Sequence, residues 1–376
     1  MRIVYITDTF AVWGGMERVL ADKMNVLAEQ YGWEVSLLTV NQGEHPLTYQ
    51  LHSDVTHVDL GVRMHQQYQY SGISRLFKRR ELKQVLNIRM EQALLERRPE
   101  VIVCVKLDFV SVLSKLKGEI PLVVESHTLC NSEIMDGAGW LRSIYIWSLK
   151  RSIRKADAVV SLTEGDAADW RRINNKVHVI PNVVHLNESS TFASSEQKSI
   201  IFVGRFSPQK DLGSLLRIWE IVHQQHPDWR LDIYGEGELM EYYLPRIQTM
   251  NADIYVYEPT AGIMEKYREH SILLLTSLYE PFGLVLPEAM SCGLPVVAFD
   301  CPYGPADIIT DGVDGFLVKD RDIDCFAKRV DQLISSYDLR RQMGQAGILS
   351  SQRYQVSCIM PQWVQFFEQL TFSQEK

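Results

Sequence analysis

Two glutamates, Glu280 and Glu288, stand eight residues apart in the apolar, glycine-punctuated run YEPFGLVLPEAM (279–290). A carboxylate is costly to bury unless donors or cations meet it, and each one can accept hydrogen bonds from two hydroxyls. One acid on a ribose and one on a hexose would divide that work. The alternative is that Glu288 only complements the amino end of a helix opened by Pro287, with Glu280 exposed. Arg205 and Lys210 lie five residues apart in FVGRFSPQKDL (202–212). Two cations at the carboxyl end of a strand suit a diphosphate, Arg through its planar fork and Lys as a point charge. Otherwise they are ordinary surface charges.

Three smaller signals join these. Gly14-Gly15 in TDTFAVWGGMERVL (7–20) could leave backbone N–H groups to hold an anion at a helix start, or could merely let helix and strand pack. The spacing is not G-x-G-x-x-G and no acid follows where a dinucleotide fingerprint needs one, which argues against NAD. VVESHT (123–128) delivers Glu125 and His127 to a strand end, His127 being either a packing residue or a reactive one. IYGEGEL (233–239) places Gly235 and Gly237 after a strand, for a tight turn or for close approach of a flat ligand such as a base.

The elements that must position these residues alternate between short β-branched runs and longer helical patterns. Residues 2–8, 34–40, 101–106, 121–127, 156–163 and 177–182 read as strands, with helices over 14–32 and 81–99. A Ser-, Asn- and Pro-rich break spans 181–199. A second series follows, with strands over 199–205, 230–237, 253–258, 271–277, 294–300 and 314–318, helices near 212–227, 263–270 and 287–291, and a mostly helical tail. This alternation predicts an α/β protein with two doubly wound, Rossmann-like parallel-sheet domains facing across a cleft. The expected boundaries are an N-terminal domain 1–182, a linker 183–199, a C-terminal domain 200–355 and a helix 356–376 returning toward the N-terminal domain. Every motif above falls just after an expected strand, where ligands of such sheets bind.

Composition narrows the class. In 376 residues the six cysteines form no C-x-x-C pair, which fits a reducing compartment and no zinc site. The start MRIVYITDTF is not a signal peptide, and no run reaches the length of a membrane span. The expected location is therefore cytoplasmic, with or without peripheral contact at the cytoplasmic membrane face. The net charge of −8 is uneven: residues 1–185 hold 23 Lys+Arg against 21 Asp+Glu, leaving 16 against 26 for the remainder. The basic residues gather in Arg75–Arg89 and Leu141–Lys155, the second interleaved with Tyr145 and Trp147. Such helices are either solvated basic faces or lie in a lipid interface. Neither belongs to a nucleic-acid-binding module.

Taken together, Gly14-Gly15, His127, IPN (180–182), GRFSPQKD (204–211), YGEGEL (234–239) and the Glu280-to-Glu288 element resemble, in order, retaining glycosyltransferases of family 4, which have the GT-B fold. The block 299–318 is also similar to that of members that build capsule, O-antigen or lipid-linked oligosaccharides. Three departures are Val183 after PN, Asp211 after the lysine, and Glu258-Pro259, where members carry glycine.

The resemblance implies a retaining transfer of a hexose or N-acetylhexosamine from a nucleotide sugar, UDP-linked by expectation, to a saccharide or polyprenyl-diphosphate-linked acceptor. It implies that Glu288 holds the ribose hydroxyls, that Arg205 and Lys210 neutralise the diphosphate, and that Gly14-Gly15 faces the phosphates. Gly235 would lie at the base, Glu280 and the backbone of Phe282, Gly283 and Leu284 at the donor hexose, and His127 beside the reacting carbon. No metal and no separate cofactor are expected. A nucleotide-sugar epimerase or hydrolase on the same fold is the alternative enzyme, and a non-catalytic sugar-nucleotide-binding protein the alternative outside catalysis.

Overall fold

The computed structural model describes residues 1–130 and 140–372, apart from the side chains of residues 140–142. The basic cluster Leu141–Lys155 and the expected tail 356–376 thus reach in part outside the described residues. The chain divides into two compact units: residues 1–162, 166–183 and 360–376 in one, residues 163–165 and 184–359 in the other.

The first unit is built on seven parallel strands: β1 (Arg2–Thr7), β2 (Glu34–Thr39), β3 (Val55–Asp59), β4 (Val101–Cys104), β5 (Leu122–Glu125), β6 (Ala158–Ser161) and β7 (Val177–Val179). Their order is β3-β2-β1-β4-β5-β6-β7. Strands covered by helices on both faces must be apolar throughout, and β4, β5 and β6 are buried at every position. Helices Gly15–Glu29, Gly72–Arg97 and Leu107–Leu116 belong to this unit. The second of these starts nine residues before the expected 81. Its buried stripe begins only at Leu82; the apolar residues of its first ten, Ile73, Leu76 and Phe77, are exposed, so the helix start is not marked by burial.

The second unit has six parallel strands: β8 (Ser199–Val203), β9 (Arg230–Tyr234), β10 (Ile254–Tyr257), β11 (Ile272–Leu275), β12 (Val296–Asp300) and β13 (Gly315–Lys319), ordered β10-β9-β8-β11-β12-β13. Its core gathers Phe202, Trp219, Leu231, Leu274, Val297 and Phe326. Residues 184–198, read from the sequence as linker, are pinned to this unit. Asn187 N donates to Ser291 Oγ (3.0 Å), Ala193 N to Cys292 O (2.8 Å), and Arg340 to Ser195 O.

Both sheets reverse direction once, between β1 and β4 and between β8 and β11. At such a point two neighbouring strands send their following loops to opposite sides, and a crevice opens beyond their carboxyl ends.

Candidate active site

The reversal in the second sheet places two loops side by side. One follows β8 and carries Gly204, Arg205 and Lys210; the other follows β11 and carries Ser277 and Glu280. Pairing of Ile200 with Ile272 and Ile201 with Leu273 fixes their register. Thr276 Oγ1 donates to the carbonyls of Lys210 (3.0 Å) and Asp211 (3.2 Å), and Leu278 N to Gln209 O (2.7 Å), so the loops are tied at several rungs.

Across this tie Lys210 Nζ pairs with Glu280 Oε1, an oxygen that also accepts from Ser277 Oγ at 2.6 Å. The lysine side chain is 15% exposed and the glutamate 6%, so the pair is only partly withdrawn from water. Separate tasks were expected of these two residues; the fold brings them into contact. Glu280 is not exposed, and its backbone is fixed as well: its N–H donates to Pro302 O (2.7 Å), and its carbonyl accepts from Tyr303 N and Gly304 N. Arg205 is exposed and makes no side-chain hydrogen bond or ion pair among the described residues.

Glu288 lies buried in the first turn of helix Val285–Ser291 and accepts from Tyr267 Oη at 3.1 Å. Just before that helix, Gly283 takes φ +94°, a conformation side-chain-bearing residues rarely adopt. Phe282, Gly283 and Leu284, just ahead of that helix, offer successive backbone N–H groups without an acceptor among the described residues. Phe282 itself is buried, its ring set edge-on to Tyr354 at 5.3 Å.

Gly235 shows a physical reason of its own. A Cβ there would stand 2.0 Å from Gly204 O, so the glycine lets the loop after β9 close onto the loop after β8. The close approach it permits is to the chain's own backbone, and Phe206 N to Glu236 O (2.8 Å) continues the contact.

Two supports were not legible in the sequence. Asp211 has left-handed backbone (φ +44°), a conformation that favours glycine. It is kept as aspartate by two contacts: it accepts from Ser214 N (3.2 Å) at the start of helix Leu212–Gln225, and it pairs with Arg321. Arg321 also donates to Ser277 O at 2.6 Å and lies over the Phe299 ring at 4.2 Å. It thereby clamps both loops next to the Lys210–Glu280 pair. Its segment, DRDID, gave no such signal, because the partners are more than 40 residues away in sequence. Cys301 offers no competing nucleophile: burial, then the nearby Glu280, push its thiol up to about 12.

In the first unit, Glu125 ends β5 and meets two partners on one oxygen. Oε1 pairs with Lys23 Nζ and bonds His127 Nε2 at 2.8 Å. Burial pushes the Glu125 carboxyl up, but the Lys23 charge and the His127 bond outweigh it and hold the group at about 2. The Lys23 and Glu125 side chains are each 1% exposed and that of His127 4%. Gly14 precedes helix Gly15–Glu29 in extended conformation, and a Cβ on it would come within 2.4 Å of Glu17 Oε2. A recess of about 190 Å³ in this unit, lined by Arg2, Glu34, Asp54 and Arg97, opens at the amino ends of β1 and β2, the edge opposite Glu125.

Among the described residues no group of three His, Cys, Asp or Glu side chains is placed to hold a metal ion, and no helix is long and apolar enough to cross a membrane.

Comparison with known proteins agrees with this layout. Residues 186–349 match the model of glycosyl transferases group 1, and residues 13–188 match that of glycosyltransferase family 4. The chain is 29% identical to the amylovoran biosynthesis glycosyltransferase AmsD of Erwinia amylovora, over 96% of this chain and 98% of the relative. It is 22% identical, over 98% and 99%, to a Campylobacter jejuni alpha-1,4-N-acetyl-D-galactosaminyltransferase named for an undecaprenol-diphosphate-linked saccharide. Among solved structures, S. aureus TarM in complex with Fondaparinux, alpha-GlcNAc-glycerol and UDP superposes with a TM-score of 0.77 at 15% identity, covering 98% of this chain and all of that one.

Proposed function

Because the chain is a family 4-like glycosyltransferase of the GT-B fold, we propose that it moves a hexose or N-acetylhexosamine from a UDP-sugar to a saccharide or lipid-diphosphate-linked saccharide, with retention at the anomeric carbon, in the building of a surface polysaccharide. The observation that carries this reading is the Lys210–Glu280–Ser277 constellation at the reversal point of the second sheet. Relatives named for amylovoran and for a polyprenyl-linked saccharide support the acceptor class, and UDP in a structural neighbour supports the donor.

The chemistry follows from charge. As the C1–O bond to the diphosphate breaks, negative charge grows on the leaving oxygen and positive charge on the sugar ring. Arg205 and Lys210 meet the first, so no metal or other cofactor is needed in this reading. Glu280 meets the sugar side, accepting from a hexose hydroxyl while its Oε1 stays tied to Ser277. The N–H groups of Phe282, Gly283 and Leu284 add donors toward the sugar, and Glu288 accepts from the ribose hydroxyls. In the same reading Gly14-Gly15 faces the phosphates and His127 a sugar hydroxyl, and Gly235 keeps the base-side loop close. The acceptor oxygen bonds C1 from the face the diphosphate leaves, and its proton passes to the departing phosphate oxygen. Preorganised electrostatic groups of this kind are each worth about 3 kcal/mol in the transition state.

Incubation of the purified protein with UDP- and GDP-sugars and lipid-diphosphate acceptors, followed by NMR of the product's anomeric proton, tests the proposal. Transfer from a UDP-sugar with unchanged anomeric configuration is expected. Inversion, or UDP release that ignores every acceptor, would overturn it, the latter in favour of a hydrolase or epimerase. Peripheral membrane contact rests on the exposed Ile73, Leu76 and Phe77 beside Arg75, Arg79 and Arg80, and on exposed Ile144 and Trp147. Flotation with anionic vesicles that vanishes for vesicles of neutral lipid would support it; no flotation with either would remove it.

A further inference from the structure

Lys23 is an expensive residue for its place. It sits mid-helix in Gly15–Glu29 among Leu20, Met24 and Leu27, and its side chain is 1% exposed. An ammonium group loses its hydration there, and a methionine would fill the space without that cost. Its surroundings are built around the charge. Nζ pairs with Glu125, lies 3.8 Å above the Trp363 ring of the C-terminal helix, and lies 5.1 Å from the Tyr5 ring. Aromatic faces stabilise a cation without offering a competing acceptor. The charge therefore has one destination, Glu125 Oε1.

That oxygen is shared with His127 Nε2. An ionised carboxylate only accepts, so Nε2 must carry the hydrogen and donate. Were Glu125 facing the ring alone, its buried negative charge would draw a second proton onto the imidazole, and Nδ1 would become a donor too. Lys23 removes that demand by supplying the positive charge itself. The other carboxylate oxygen, Oε2, is buried without a partner, so the pair's polar capacity is directed at Oε1.

We propose that Lys23 and Glu125 are positioning residues that hold His127 as its neutral Nε2–H tautomer and leave Nδ1 as a hydrogen-bond acceptor for a sugar hydroxyl. The use of Nδ1 rests on the glycosyl-transfer reading above; the tautomer does not. With 4% of its side chain exposed, the ring can be met only at an edge, which suits a single hydroxyl.

Selective 15N-histidine NMR on the full chain tests the first part, with His127→Gln identifying the resonance. The Nε2–H tautomer is expected in the native protein, and an Nδ1–H tautomer would overturn the proposal. Three variants test the second part: Lys23→Met, Lys23→Met with Glu125→Gln, and Lys23→Met with Glu125→Leu. Lys23→Met alone should destabilise the fold and shift His127 toward imidazolium. Both double variants should regain melting temperature, because neither leaves a buried charge. They should differ in turnover: the glutamine carbonyl still accepts from Nε2–H, whereas leucine releases the ring and lowers kcat by about 10-fold, the worth of one oriented hydrogen bond, with little change in donor KM. If kcat simply tracks melting temperature, so that the two double variants turn over alike, the residues are structural and the proposal fails. If the native protein transfers no sugar at all, the glycosyl-transfer reading fails with it, and the tautomer measurement still decides the positioning claim.

Discussion

Each unit sets a lysine on a glutamate beyond or at the carboxyl end of a parallel strand, Lys23 on Glu125 in the first and Lys210 on Glu280 in the second. In both, the carboxylate oxygen that takes the lysine takes a second donor, His127 Nε2 in one and Ser277 Oγ in the other. Their surroundings differ. Lys23 is sealed beneath Trp363 and Tyr5, while Lys210 keeps 15% of its side chain in solvent beside the solvent-facing Arg205. The same ion pair therefore serves two ends. Sealed, it cannot touch a ligand and can act only through what it holds. Partly open, it can exchange its internal partner for a phosphate or a hydroxyl.

The largest expected effect separates the pairs by stability. Lys23→Ala strands a buried carboxylate and should cost about 3–5 kcal/mol of unfolding free energy. Lys210→Ala leaves Glu280 with Ser277 still donating to it and should cost less, about 1–3 kcal/mol. Urea unfolding of both decides, and equal losses would break the contrast. Turnover should reverse the ranking of the second pair: Lys210→Ala and Glu280→Gln should each lower kcat at least about 100-fold while the fold persists. Near-native turnover in either folded variant removes that residue from the chemistry.

Acid titration sharpens the sealed pair. The folded Glu125 carboxyl is held at about 2, below its ordinary 4.5. A depressed carboxylate contributes stability that is complete above the unfolded value and is lost as pH falls through the folded one. Native stability should thus decline between about pH 4.5 and 2, and Glu125→Gln should flatten that part of the melting-temperature curve. An unchanged curve would mean Glu125 does not titrate there. The smallest effect is expected for Ser277→Ala, which removes one donor from Glu280. It should lower turnover by about 10-fold, as for a hydrogen bond to a charged group, and leave melting nearly unchanged.

Legibility in the sequence followed burial and locality. The interior strands β4, β5, β11 and β12 announce themselves because both faces are covered and almost every position is apolar. The edge strand β3 (VTHVD) was missed: only Val55 is fully buried, so no apolar run marks it. Arg205, Lys210 and Glu280 could be named as candidates because each lies in a loop after an expected strand, and Glu288 because it follows Pro287 at an expected helix start. Lys23 was hidden inside an ordinary amphipathic helix, since its partner is 102 residues away. Arg321 was hidden for the same reason, its contacts to Asp211 and Ser277 being visible only once the sheet order is known.

Trp363 belongs to the closing segment of the polypeptide, yet it completes the environment of a residue near the opening one. During synthesis, then, Lys23 cannot be roofed until Trp363 has been made. A chain cut before residue 360 would lack that roof and leave the Lys23–Glu125 pair more open to water.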